Sequence, residues 1–417
     1  MRISKNKFDY TWVIVILSAL IVFVSLGFCS SSKSIFLKAI TSANNISRSA
    51  FSLNDSFRFI TNSVVNMFFG ALIAKYGPKK LICAGLISLI ASCYLFCVGH
   101  SLILFYLSGI LLGLGLSWTT TTMVGYVINL WWKKENKGTV MGAVLATNGI
   151  GSAVATQIYS PLIHKSTFGY QNAYWVAVLC LATVLILILL FFKDKPNITS
   201  QTTPLTRKEN TKKAWTGIEF QRAKRMPFFY LTLISVFFCG MMLQSIVGIV
   251  SPQMYDSGLD ESYVAFLLSL YAIALTAFKF LIGYLYDKFG LKTVSNLCMV
   301  ASITAFCLLA NLSPGILGKT YAFIYCFVAP IALPLETVML PFYANSLFGE
   351  KSYTKALGII TSVSAVGFAL GAPVANLCYD LTNSYNLILY IFAGIMAILL
   401  IAMNYAIGTV DKLKKAD

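Results

Sequence analysis

Five ionisable side chains lie inside long apolar runs of this sequence: Lys33, Asp55, Arg58, Lys279 and Glu336. A charge in such surroundings is costly, so it marks an ion pair, a proton relay or a contact with a charged solute. Lys279 sits within Ala277-Phe278-Lys279-Phe280-Leu281. Its ammonium could hold a carboxylate, or its long stem could carry the charge out to the nearest interface. Lys33 presents the same choice, as a second cationic contact or an outward-reaching stem. Asp55 and Arg58 are three residues apart and share one helix face, which suits a self-neutralising pair, a gate charge or a proton acceptor. Glu336 stands between Pro334 and Pro341. Prolines loosen a helix and free carbonyls to line a cavity, so Glu336 reads as a coupling-proton carrier or as an ion-pair partner of Lys279 or Lys33. Uncharged polar residues add a potential lining: Thr119 to Thr122, Asn129, Asn148, Gln244, Ser245 and Tyr271.

The elements that must position these groups are membrane spans. The chain has 417 residues, of which 58% are hydrophobic and 11% charged, against about 25% charged in a soluble domain. A span needs about 20 mostly apolar residues. Runs of that kind predict spans 1 to 12 at 11–36, 48–74, 79–99, 102–130, 138–164, 171–192, 227–254, 262–286, 291–311, 318–347, 353–379 and 384–408. The first run is read as a retained span, not a cleaved signal. The net charge of +17 is a topology signal here, not a nucleic-acid footprint. Basic residues crowd the segments on one side, with nine over 193–225, while the other side holds Lys38, Arg48, Lys165 and Lys319. Positive charge marks cytoplasmic loops. Both termini are therefore expected in the cytoplasm, in a plasma (inner) membrane whose anionic lipids the basic segments can contact.

The chain also repeats itself. GALIAKYG at 70–77 returns as GYLYDKFG at 283–290, an offset of 213 residues. Gly142 and Gly151 return as Gly358 and Gly367, an offset of 216. A fixed offset near half the chain, with six spans on each side, is the mark of a duplicated transporter fold. The expected architecture is all-α: twelve transmembrane helices in two pseudo-symmetric six-helix bundles, 1–192 and 227–417, joined by a basic cytoplasmic linker at 193–226. Small residues at Gly138, Gly142, Gly149, Gly151, Ser152 and Ala153 give span 5 a face on which backbones can approach closely.

The 283–290 segment resembles the loop signature of the major facilitator superfamily, and the resemblance covers nearly the whole chain. It implies that Asp287 helps pin the halves in one state. The first copy has Ala74 where the superfamily usually has Asp. KSIFLK at 33–38 is similar to the first-helix motif of monocarboxylate transporters. WWKKENKG at 131–138, leading into Gly142, Gly149 and Gly151, is similar to oxalate/formate antiporters. Both families move small carboxylates. Their arginine in span 8 corresponds to Lys279, a flexible point charge in place of a planar fork. The second cation of the antiporters corresponds to Ser364, and the aspartate of the monocarboxylate transporters to Leu275.

The resemblance implies a secondary transporter moving a small organic anion, a mono- or dicarboxylate, by alternating access. Lys279, Lys33, Asn148, Gln244 and Tyr271 would bind it. Glu336, Asp55, Arg58 and Asp287 are the coupling or gating candidates, with protons or a counter-substrate as the coupled partner. The alternatives are a superfamily carrier of a neutral solute or drug, and a membrane sensor that binds without transporting. The chain shows no Ser/His/Asp set, metal-ligand cluster or phosphate loop, so neither an enzyme nor a cofactor or metal is expected. The ten cysteines read as small buried hydrophobes.

Overall fold

The computed structural model describes residues 10–132, 137–165, 168–194 and 217–416. The basic N-terminal residues 1–9, the centre of the WWKKENKG segment and residues 195–216 of the expected linker lie outside the described residues, as does the Asn129 side chain.

The described residues form helices joined by short turns, with no strand among them. Nine of these helices are long and apolar enough to cross a membrane, and the bent pair Arg48–Met67 and Phe69–Tyr76 makes a tenth. One of the nine, Glu261–Ala310, has non-helical backbone at Gly290 and so comprises two spans. With Lys137–Ile163 this gives the expected order of twelve. Span 1 is longer than expected: the helical segment continues to Asn44. Its middle, Phe23–Ser31, is π-helical, and Lys33–Ile35 is a 3-10 turn. Such breaks rotate the register of side chains, and they recur at functional sites.

Each half buries its own apolar core. One core runs from Ile14 to Phe192, the other from Ile218 to Val410. The repeat predicted from sequence reappears as backbone geometry. Gly77 has φ 76° and Gly290 has φ 77°, a left-handed conformation open to glycine and costly for residues with a Cβ. Gly151 lies against the backbone of Phe23 in span 1, and Gly367 against that of Phe237 in span 7. The two contacts are equivalent under the duplication. A side chain at either position would have to displace main chain. Gly151→Leu and Gly367→Leu should each therefore lower the melting temperature or the yield of folded protein, consistent with an overpacking cost of about 1–3 kcal/mol. Gly358→Leu should be tolerated, because a Cβ there meets open space. Melting curves of the three purified variants check this.

The halves meet along three seams: span 2 with span 11, span 5 with span 8, and span 1 with span 7. At the 2/11 seam Ser56 donates to the Ala369 carbonyl, and the Phe59 and Phe368 rings lie 5.6 Å apart. At the 5/8 seam Ser269 donates to the Ala153 carbonyl at 3.0 Å, and Gly149 leaves room for Thr276 and the Ala272 carbonyl. We call the end that bears Gly77 and Gly290 the basic face and the other end the far face.

Candidate functional site

A cavity of about 500 Å³ lies between the halves. Span 1 lends Ser30, Ser31 and Ser34, span 2 lends Arg58, and span 5 lends Asn148. From the other half come Gln244 of span 7, Tyr271 and Lys279 of span 8, and Glu336 of span 10. The sequence-level candidates Asn148, Gln244, Tyr271, Lys279, Glu336 and Arg58 thus share one space. Ser31 donates to the Asn148 side-chain oxygen at 2.9 Å. The Tyr271 hydroxyl and Glu336 Oε2 are buried without a hydrogen-bond partner, and the Tyr271 ring stacks on Tyr325 at 6.2 Å. Buried polar atoms in native proteins nearly always find partners, so orphaned ones facing a cavity are suited to meet a solute or water. Lys279 faces the cavity, and its charge acts on Glu336. Among the described residues, Glu336 makes no direct ion pair with Lys279 or Lys33.

Lys33 and Asp55 sit elsewhere. They line a side pocket of about 30 Å³ that shares Ser30, Ser34, Arg58, Gln244 and Val247 with the main cavity. Lys33 Nζ is 2.8 Å from Asp55 Oδ1 and also donates to Asn54. Arg58 Nε is 3.1 Å from the same carboxylate oxygen. Sequence spacing gave Asp55 and Arg58 as a self-contained pair; the structure adds Lys33 as a third member. Asp287 lies at the basic face, in a surface cleft with Lys292 and Asp411. Ser245 is spent on the Met241 and Gly371 carbonyls. Thr119 and Thr120 back-bond to their own helix.

Sequence reasoning missed the serines of span 1. Their signal was the run Ser30-Ser31-Ser32-Lys33-Ser34 in an apolar stretch. Ser30, Ser31 and Ser34 share one wall of the cavity, on a segment whose backbone passes from π to 3-10 helix.

Charged contacts join the two halves at the far face. Arg48 Nη1 is 2.6 Å from Asp256 Oδ2 and donates to the Tyr385 hydroxyl at 3.0 Å. Its guanidinium lies 3.7 Å from the Tyr379 ring centroid. Lys38 adds a second ion pair to Asp256 at 2.8 Å. Asp380 of span 11 accepts from the backbone amides of Arg48 and Ser49 at 3.1 and 2.9 Å, so a carboxylate of one half caps a helix of the other. His164 Nδ1 is 2.6 Å from Glu261 Oε1. Burial pulls this imidazole below its ordinary pKa, against the pull of the Glu261 carboxylate, so the contact suits a neutral ring donating to the acid.

The sequence profile of the Major Facilitator Superfamily matches residues 17–259 and 232–416. The chain belongs to the Major Facilitator Superfamily. It is 24% identical over 399 residues to the uncharacterized MFS-type transporter YcxA of Bacillus subtilis, covering 92% of this chain and 93% of that one. It is 20% identical to Monocarboxylate transporter 12 of Homo sapiens, over 67% of this chain and 57% of the relative. The crystal structure of the nucleoside transporter NupG superposes with a TM-score of 0.74 at 15% identity, covering 96% of this chain and 99% of that one. This likeness shows the fold. The chain is a multi-pass membrane transporter by family, and superfamily membership alone does not name its solute.

Proposed function

We propose that this transporter moves a small organic anion across the plasma membrane by alternating access, with the basic face and both termini in the cytoplasm. The observation that carries the reading is the central cavity. Each half presents a cation to it, Arg58 from one and Lys279 from the other, and transporter sites of this kind lie near the midplane between repeats. The charged clasp ties the halves together at the far face, which supports reading this state as open toward the cytoplasm. Two observations support the choice between the coupling candidates. Asp55 is held between two cations, whereas Glu336 keeps a carboxylate oxygen without a partner. Glu336 is therefore the group to exchange a coupling proton, and Lys33 acts through Asp55. The expected linker at 193–226 tethers the halves on the cytoplasmic side, where positive charge favours anionic lipid.

Ligand-induced thermal stabilisation of the purified protein tests the reading. At least one small carboxylate should raise the melting temperature in a saturable way, while neutral solutes of the same size do so weakly. Stabilisation by neutral solutes alone would assign the cavity to the neutral-solute alternative.

A further inference from the structure

Three charges cluster at the far end of the cavity: Lys33, Asp55 and Arg58. They do not balance. One carboxylate faces two cations, and the better-placed partner is Lys33, at 2.8 Å from Asp55 with a further hydrogen bond to Asn54. Arg58 is only 8% exposed. Its Nη1 donates to Ser30 Oγ at 2.7 Å, and its Nε, though 3.1 Å from Asp55, makes no hydrogen bond. A unit of positive charge is left at Arg58, the member of the triad that faces the main cavity. A buried charge without a counter-charge is strongly unfavourable. In the other half Lys279 and Glu336 line the same cavity, and while Glu336 is ionised their charges cancel.

The two poles also sit at different depths. Arg58 is ten residues from the far end of span 2, which starts at Arg48, and Lys279 is eighteen from the far end of span 8, which starts at Glu261. At 1.5 Å per residue the two lie at heights roughly 12 Å apart. The Arg58 pole is cationic and ringed by serine hydroxyls. The Lys279–Glu336 pole pairs a donor with an acceptor, which is what an alcohol needs.

Resting on the anion reading above, we infer that Arg58, with the serines of span 1, receives the single carboxylate of a hydroxylated monocarboxylate whose uncharged hydroxyl end reaches Lys279 and Glu336. A guanidinium is a planar fork that matches a carboxylate in a bidentate manner. The charge set admits one negative charge. A dicarboxylate brings a second, which finds no surplus cation at the Lys279–Glu336 pole while Glu336 is ionised.

Three probes of matched length separate the terms: gluconate with one carboxylate, glucarate with two, and sorbitol with none. At a pH that ionises Glu336, wild type should bind gluconate at least about 10-fold more tightly than either of the others, as read by titrated thermal stabilisation. Arg58→Gln should lower gluconate affinity by roughly 100-fold, as expected for loss of a buried charge-assisted pair, and remove its advantage over sorbitol. Lys279→Gln should keep that advantage. The Lys33→Met variant brings the triad to zero net charge and should weaken gluconate by about 10-fold or more, although Lys33 lies off the main cavity. Adding Asp55→Asn to Lys33→Met restores the unit charge and should restore gluconate binding to within about 3-fold of wild type. That rescue does not depend on the Arg58 variant folding.

The inference is overturned if Arg58→Gln keeps the gluconate advantage, if Lys279→Gln abolishes it, if glucarate binds wild type as tightly as gluconate, or if the double variant binds no better than Lys33→Met. A wild type that binds sorbitol as well as it binds either acid overturns the anion reading itself, a result none of the variant patterns can mimic.

Discussion

Replacing Lys279 with glutamine should weaken binding of a transported carboxylate by about 10- to 100-fold. The lysine faces the cavity beside Glu336. A charge-assisted hydrogen bond from it to the solute contributes roughly 1.5–3 kcal/mol, and each 1.4 kcal/mol is tenfold in affinity. Glutamine keeps much of the length and polarity and removes the charge, so the solute's hydroxyl end loses a charged donor whether or not the solute carries a carboxylate. Lys279→Arg should retain binding with slower turnover, since a guanidinium preserves the charge in a bulkier, stiffer group. Titrated thermal stabilisation of wild type and both variants reads the effect. Equal affinity of wild type and Lys279→Gln for a carboxylate that wild type transports would remove Lys279 from the site and make it a lysine that merely reaches the interface.

The second large effect is expected at the far face. Arg48 joins Asp256 and Tyr385, with its guanidinium over Tyr379, while Asp380 caps the start of span 2. Removing one partner of a buried ion pair costs about 3–5 kcal/mol. Arg48→Ala strands Asp256 beside Lys38 alone and loosens the clasp. The balance between the observed state and one open at the far face should shift by roughly 100-fold or more. A cysteine introduced at Asn148, which lines the cavity, reports the change. In intact cells an impermeant thiol reagent should label it slowly in the parent and much faster with Arg48→Ala. Unchanged labelling would show that the ion pairs at this face do not set the conformational balance.

The duplication was legible in the sequence because it rests on glycine, whose requirement is local and steric. Gly77 and Gly290 occupy the same backbone conformation, and Gly151 and Gly367 abut equivalent helices. The spans were legible because apolar length is nearly all a bilayer asks of a helix. The candidate site was legible as a set of polar exceptions to that rule, and seven of those residues, Thr121 among them, share the cavity. Their grouping was not. Lys33 looks like a cavity residue from its depth alone, yet its partners Asn54 and Asp55 hold it in the side pocket. The π turn of span 1 follows from hydrogen-bond register, which composition does not encode, and the serine wall went unseen because hydroxyls in a span read first as helix–helix contacts. The far-face clasp joins residues up to 337 positions apart. In sequence these were only loop charges and helix ends, and pairing them required knowing that spans 2, 7 and 11 converge.

Uptake by proteoliposomes is the most direct test of the central claim, that this carrier moves a small organic anion through the cavity between its halves. Vesicles containing the purified protein, preloaded with unlabelled gluconate, receive radiolabelled gluconate outside, and accumulation is followed against protein-free vesicles and against the Lys279→Gln and Arg58→Gln variants. The account predicts rapid, saturable exchange by wild type, competition by other monocarboxylates but not by sorbitol, and sharply reduced exchange by both variants at the same external concentration. Uptake that sorbitol inhibits as well as gluconate does, and that both variants support at the wild-type rate, would contradict it.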